Sequence, residues 1–247
     1  MTGGRVVLVG AGPGDPGLIT VRGAEALRAA DVVVYDRLVP PALLELAPAG
    51  AERIFVGKAP GVPHASQGEI DALLVERARA GATVVRLKGG DPLVFGRGGE
   101  EARACARAGV PVEVVPGVTS AVAAPAAAGI PLTYRGIARS FAVVTARTAD
   151  GSDPDWAGLA SCVDTLVVLM VADRLERVCR ALIDAGRPAE QPAAVVQAAT
   201  TEHQREAVGT LGTLPALARH GPIGSPATLV VGEVVACRWD TTPAARH

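Results

Sequence analysis

Short apolar runs alternate with amphipathic stretches along the chain, the pattern of a mostly parallel sheet covered by helices. RVVLVG (5–10) reads as a buried strand ending at glycine, and DVVVY (31–35), RIFV (53–56), TVVRL (83–87) and VEVV (112–115) follow as strands. The clearest helix between them opens at Ser66 with Glu69 three residues on, a capping box. Ile70, Leu73, Leu74 and Ala78 then share one face, and Gly81 ends it. In the second half FAVVT (141–145), TLVVLMV (165–171), AAVVQAA (193–199), REAVGTL (205–211) and ATLVVGEVV (227–235) read as strands. A helix is expected from Asp173, capped by Glu176, with Leu175, Val178, Leu182 and Ile183 inward and Gly186 as its stop.

The small-residue, proline-punctuated stretch PGVTSAVAAPAAAGIPLTYRG (116–136) separates the two sets, with a short helix opening near Thr119 or Ser120. The expected organisation is an α/β domain over 1–117, a linker over 118–138, a second α/β domain over 139–240 and a tail over 241–247. Each domain is expected to hold a mostly parallel mixed sheet with flanking helices, and the cleft between two such domains is the default ligand site.

Composition narrows the function classes. The chain has 247 residues, 49% hydrophobic and 20% charged, enough for a sizeable core. Basic and acidic residues nearly cancel, 24 against 25, which argues against a nucleic-acid binder or an anionic-membrane binder. Cys105, Cys162, Cys179 and Cys237 are scattered, with no CxxC pair and no His at ligand spacing, so neither a disulfide scaffold nor a zinc site is expected. The apolar stretch around 110–133 is broken by proline and glycine and makes a poor membrane span. The first residues hold too short an apolar run for a signal peptide. A soluble protein of a reducing compartment, the cytoplasm, with no metal, is the expectation.

Candidate chemistry sits at strand ends. GAGPGDPG (10–17) invites a dinucleotide reading, but the third glycine of GxGxxG is Asp15, and Pro13 and Pro16 remove N–H donors a pyrophosphate needs. RLKGGDPLVFGRGGEE (86–101) is the densest feature: Gly89 and Gly90 permit close backbone approach, and Glu100 and Glu101 open a helix in its electrostatically favoured first turn. A loop so rich in glycine usually serves a ligand. Asp36 ends a strand at the carboxyl edge where open α/β sheets bind ligands, although a helix cap or an ion pair with Arg37 would explain it equally well. Of the 24 basic residues only Lys58 and Lys88 are lysines, and both adjoin glycine. Either coding bias left them, or these positions need a compact ammonium. Among the four histidines only His64, near Lys58, is placed to meet a ligand.

GAGPGDPGLIT, YDRLV, VGK, RLKGGDPLVFGRGGEE, PGVTSA and GIPLTYR occur in that order across residues 8–135, with weaker matches through TLVVLM, QAATTEHQ and SPATLVVGEVV. Together they resemble the tetrapyrrole methylase family, and within it the branch that methylates uroporphyrinogen III. The resemblance implies two α/β domains with S-adenosylmethionine in the cleft between them, a homodimer, and methylation of C2 and C7 to give precorrin-2 on the way to sirohaem and cobalamin. It places Pro13, Gly89, Gly90, Asp91, Val94, Thr119, Ser120, Met170 and Ala199 at the cofactor. It assigns Asp36 as proton acceptor and Lys58 as proton donor. A polycarboxylate macrocycle needs cationic partners, for which Arg22, Arg37, Arg97, Arg135 and Arg139 are candidates. The chain departs from the family pattern at Tyr134 (usually His), at Ala146–Arg147 (usually Gly-His), at Leu169–Met170–Val171 (usually YMG) and at Ala198–Ala199–Thr200 (usually NGT).

Overall fold

The computed structural model describes residues 3–57, 65–148, 151–221 and 223–240. The chain divides into two compact units, Met1–Thr119 and Ser120–His247.

In the first unit β1 (Arg5–Gly10), β2 (Val32–Tyr35), β3 (Glu52–Phe55), β4 (Thr83–Lys88) and β5 (Val112–Val115) form one sheet in the order β3-β2-β4-β1-β5. Every pairing is parallel. Such a sheet is covered on both faces, which is why its inner strands β1 and β2 read as near-continuous apolar runs. Side chains alternate: Val7, Val9, Val33, Val85 and Leu87 pack with Leu27 of α1 (Val21–Arg28) and Leu43 of α2 (Pro41–Leu44). Val6, Leu8, Val34 and Val84 face Leu74 and Ala78 of α3 (Gln67–Arg79) and Cys105 of α4 (Gly98–Arg107). The expected capping box is formed: Ser66 Oγ accepts from the Glu69 amide at 3.3 Å, and Glu69 Oε2 accepts from the Ser66 amide at 2.6 Å.

The second unit starts with α5 (Ser120–Ala127), which occupies part of the stretch expected as linker. Its sheet, β6 (Phe141–Thr145), β7 (Thr165–Leu169), β8 (Pro192–Gln197), β9 (Arg205–Thr210) and β10 (Ala227–Val231), has the order β6-β7-β10-β8-β9. Only β6–β7 is parallel; the other pairings are antiparallel. Leu166, Val168, Val195 and Leu229 pack on Val178 and Leu182 of α7 (Leu175–Asp184) and Leu214 of α8 (Leu214–His220), with α6 (Trp156–Cys162) alongside. The opposite face, Ala194, Val196 and Val230, meets Ala124 and Ala128, small side chains in α5 and just beyond it.

Three expectations are corrected here. The runs at 165–171 and 193–199 stop early, at Leu169 and Gln197, because Met170 (φ 57°) and Ala198 (φ 45°) turn into the left-handed region. The run at 227–235 breaks after Val231 into a 3₁₀ turn over Glu233–Cys237. Asp173 caps no helix with Glu176: its carboxylate pairs with Arg147, and α7 starts two residues later without a side-chain cap.

Candidate functional site

Because β1, β4 and β5 run parallel, the loops after them leave one edge of the first sheet, and glycines let them nest. Ala11 donates its amide to Lys88 O at 2.7 Å, and Gly12 and Gly90 then bridge, each amide donating to the other's carbonyl. Gly90 takes φ 67°, and a Cβ on Gly117 would lie 2.3 Å from its carbonyl oxygen, so the third loop must pass as bare backbone. Asp91 locks this arrangement: Oδ1 accepts from the Leu93 amide at 2.8 Å and Oδ2 from the Gly117 amide at 3.0 Å. Beyond it, Phe95 (φ 52°) and Arg97 (φ 59°) are non-glycine residues in left-handed backbone, strain of the kind found where a loop serves a ligand. Asp15, the residue that spoils the dinucleotide motif, caps a 3₁₀ turn by accepting from the Gly17 amide at 2.9 Å.

Below the loops lies a buried charge cluster that the sequence reading did not find. Arg86 and Lys88 share the β4 face turned toward α3 and α4. Arg86 is 2% exposed; its Nε donates to Glu101 Oε1 at 3.0 Å, its Nη1 to the Val34 and Leu87 carbonyls at 3.3 Å, and its Nη2 to Asp36 Oδ1 at 2.7 Å. Lys88 Nζ donates to the same Glu101 oxygen at 3.0 Å, and Gln67 of α3 reaches it at 3.5 Å. Burial, together with the neighbouring Arg86 cation, holds the Lys88 ammonium below the ordinary lysine range. In the register Val34 lies opposite Arg86, so Asp36, two residues on, leaves the end of β2 within reach of that guanidinium. The sequence signal was present as two basic residues of equal parity in an otherwise apolar strand, TVVRLK.

The remaining candidates are distributed as follows. Pro13, Gly89, Val94, Thr119 and Ser120 are half-buried around the glycine loops or at the start of α5. In the second unit β7 and β8 are both antiparallel to β10, with Leu169 opposite Thr228 and Gln197 opposite Ala227. Met170 and Ala199 therefore leave one edge of that sheet. Ala199 is buried between the left-handed Ala198 and Thr200, and its own φ is not positive, so a methyl group in place of glycine is tolerated there. Lys58 and His64 lie outside the described residues.

Of the arginines, Arg22 is drawn to Glu113 at 2.9 Å and Arg97 to Glu100 at 2.7 Å. Arg37 and Arg135 are exposed with no ion pair among the described residues. Arg139 stands before β6, at the sheet end opposite Met170, where its amide donates to Asp164. Among the described residues no group of three His, Cys, Asp or Glu could hold a metal, and no helix is long and apolar enough to cross a membrane.

Comparison with known proteins follows the same lines. A family model described as Tetrapyrrole (Corrin/Porphyrin) Methylases matches residues 5–215. A siroheme synthase of Chromobacterium violaceum is 53% identical over 234 residues, covering 94% of this chain and 50% of that protein. A uroporphyrinogen-III C-methyltransferase of Bacillus subtilis is 48% identical over 238 residues, 95% of this chain and 49% of that one. The chain thus spans about half the length of the curated relatives it matches. Among solved structures, the uroporphyrin-III C-methyltransferase of Thermus thermophilus, complexed with S-adenosylhomocysteine, is 46% identical with a TM-score of 0.81. That match covers 95% of this chain and 100% of the other.

Proposed function

Since the chain belongs to the tetrapyrrole methylase family, we propose that it transfers methyl groups from S-adenosylmethionine to C2 and C7 of uroporphyrinogen III, giving precorrin-2 for sirohaem and cobalamin synthesis. The observation that carries the reading is the likeness to the Thermus thermophilus methyltransferase over the whole of that chain.

The residues present suit the cofactor. Main chain packed too closely for a Cβ at Gly10 and Gly117, beside the Gly12–Gly90 bridge, brings peptide groups rather than a phosphate nest to this sheet edge, which suits a sulfonium. Gly89, Gly90, Asp91, Val94 and Pro13 are the proposed contacts from the first unit, with Asp91 acting through the loop it ties to Gly117. Thr119 and Ser120, and the backbone of Met170 and Ala199, are the proposed contacts from the rest of the chain. When bound, S-adenosylmethionine supplies an electrophilic methyl group for in-line displacement by a pyrrole carbon. Alignment of the reactants is then the main contribution the protein makes, worth about 7–11 kcal/mol when good.

Each methylation must be balanced by proton movement on the macrocycle. Asp36, 31% exposed with one oxygen held by Arg86, is the proposed acceptor. Lys58 is the proposed donor, a compact ammonium whose affinity for protons can be tuned where that of an arginine cannot. Arg37 and Arg135, exposed and without an ion pair among the described residues, are the first choice for the substrate carboxylates. Arg22 and Arg97 would exchange a protein carboxylate for one of the substrate, and Arg139 would act from the far end of its sheet.

A cytoplasmic homodimer completes the reading. Four free cysteines suit a reducing compartment, and exposed Ile137, Phe141 and Trp239 offer apolar surface for a second copy. Anaerobic incubation with S-adenosylmethionine and fresh uroporphyrinogen III tests the activity. A tetrapyrrole heavier by two methyl groups is expected, and an unchanged mass overturns the reading. The solution mass of the protein tests the dimer.

A further inference from the structure

We infer that Arg86 is a positioning residue for Asp36, fixing one carboxylate oxygen so that the other is presented as the proton-accepting atom, with Glu101 as the anchor of the guanidinium. The inference rests on the assignment of Asp36 as proton acceptor.

All three guanidinium nitrogens of Arg86 are engaged, by Glu101, by two strand carbonyls and by Asp36. A planar fork so held has no rotational freedom left, and the 2.7 Å bond transmits that fixity to Asp36 Oδ1. Asp36 itself follows the last residue of β2 and is the most exposed member of the cluster, so without this bond its side chain would turn freely at a strand end. Stability alone does not account for the arrangement. Arg86 stands in the middle of a β4 whose other interior residues are apolar, and a buried ion pair is on average no more stabilising than well-packed apolar side chains of the same volume. What the cluster supplies and an apolar cluster would not is a carboxylate of fixed orientation. In the step, the macrocycle's proton passes to the second oxygen of Asp36, and Arg86 keeps all of its own protons.

The test is a double-mutant cycle on turnover, run with the full chain under anaerobic conditions. Arg86→Lys keeps a charge but cannot reach Glu101 and Asp36 in the same fork geometry. It is expected to lower kcat by about 100-fold, the scale of a misplaced catalytic group, with KM for both substrates nearly unchanged. In an Asp36→Asn background the same change is expected to add nothing, because its effect passes through Asp36. S-adenosylhomocysteine titration counts the folded sites in each variant. Should Arg86→Lys fail to fold, Glu101→Gln, which keeps the volume and removes the anchoring charge, replaces it in the same cycle, with a smaller loss expected that again vanishes beside Asp36→Asn. Losses that multiply, or an undiminished kcat, overturn the positioning role while leaving Asp36 in place. An Asp36→Asn variant, or a wild-type protein, that refutes the underlying reading is recognised directly: the first turns over at the wild-type rate, the second does not turn over at all, and either removes the inference with it.

Discussion

Gly12 and Gly90 exchange backbone hydrogen bonds of 3.2 and 2.7 Å, joining the loop after β1 to the loop after β4. Gly117 passes over this bridge so closely that its α-carbon can carry no side chain: a Cβ would stand 2.3 Å from Gly90 O and 2.6 Å from Gly10 Cα. Gly117→Ala is therefore expected to cost about 2 kcal/mol or more in urea unfolding, and to weaken S-adenosylhomocysteine binding in calorimetry. Gly99→Ala, in α4 with no atom within 4 Å of its new Cβ, is expected to stay within about 1 kcal/mol of wild type and to bind normally.

Asp36→Asn and Lys58→Ala are expected to bind S-adenosylhomocysteine as the wild type does and to lose about 100-fold or more in kcat, the ordinary scale of general acid–base catalysis. Stopped anaerobic assays with mass detection of the tetrapyrrole check this. Full turnover by either variant takes that residue out of the mechanism.

Within the charge cluster, Glu101 is the shared anion. Glu101→Ala leaves Arg86 and Lys88 buried without it and is expected to cost about 3–5 kcal/mol. Lys88→Met should cost much less, since Arg86 still donates to Glu101 Oε1. The lysine also carries a pH signature. Its proton is held less firmly in the folded state than in the unfolded chain, so its contribution to stability rises as pH climbs through the lowered folded value, and levels off above the ordinary lysine range. Denaturant unfolding across the alkaline range below 10.5 should show this rise as a difference between wild type and Lys88→Met; equal slopes refute it.

Burial pushes the Cys179 thiol from the usual 9.0 up to about 12. Here the folded state keeps the proton longer than the unfolded chain. The thiol's contribution to stability is complete below pH 9.0 and is lost as pH rises toward about 12. Relative to Cys179→Ala, the wild type is expected to lose stability faster across that window. At about pH 8 exposed Cys162 should react with a thiol reagent well before Cys179 and Cys105, both buried with raised values.

The first unit was largely legible because the core of its sheet, β1 and β2, is nearly all apolar and its α3 start is a local pattern, Ser66 with Glu69. The strand ends of the second unit were not. Left-handed backbone at Met170 and Ala198 has no marker in the side chains, whereas a glycine would have announced it. The candidate loops were visible as glycine runs, yet the partner of Arg86 sits fifteen residues away on α4 and that of Arg22 ninety-one residues away on β5. Such pairings belong to tertiary packing. Local spacing shows pairs three residues apart, such as Arg97–Glu100 and Arg22–Glu25.

The nested loops at Gly10, Gly12, Gly90 and Gly117 make a surface out of peptide groups, which most substitutions, proline apart, leave chemically unchanged. Drift in sequence can therefore replace many side chains around these loops while the shape proposed to face the cofactor persists, so long as the glycines hold. Selection for a new acceptor has little to work on there. It must act instead on the side chains that project beyond the loops, such as Leu93 and Phe95, and those are the positions at which chemically similar enzymes should diverge first.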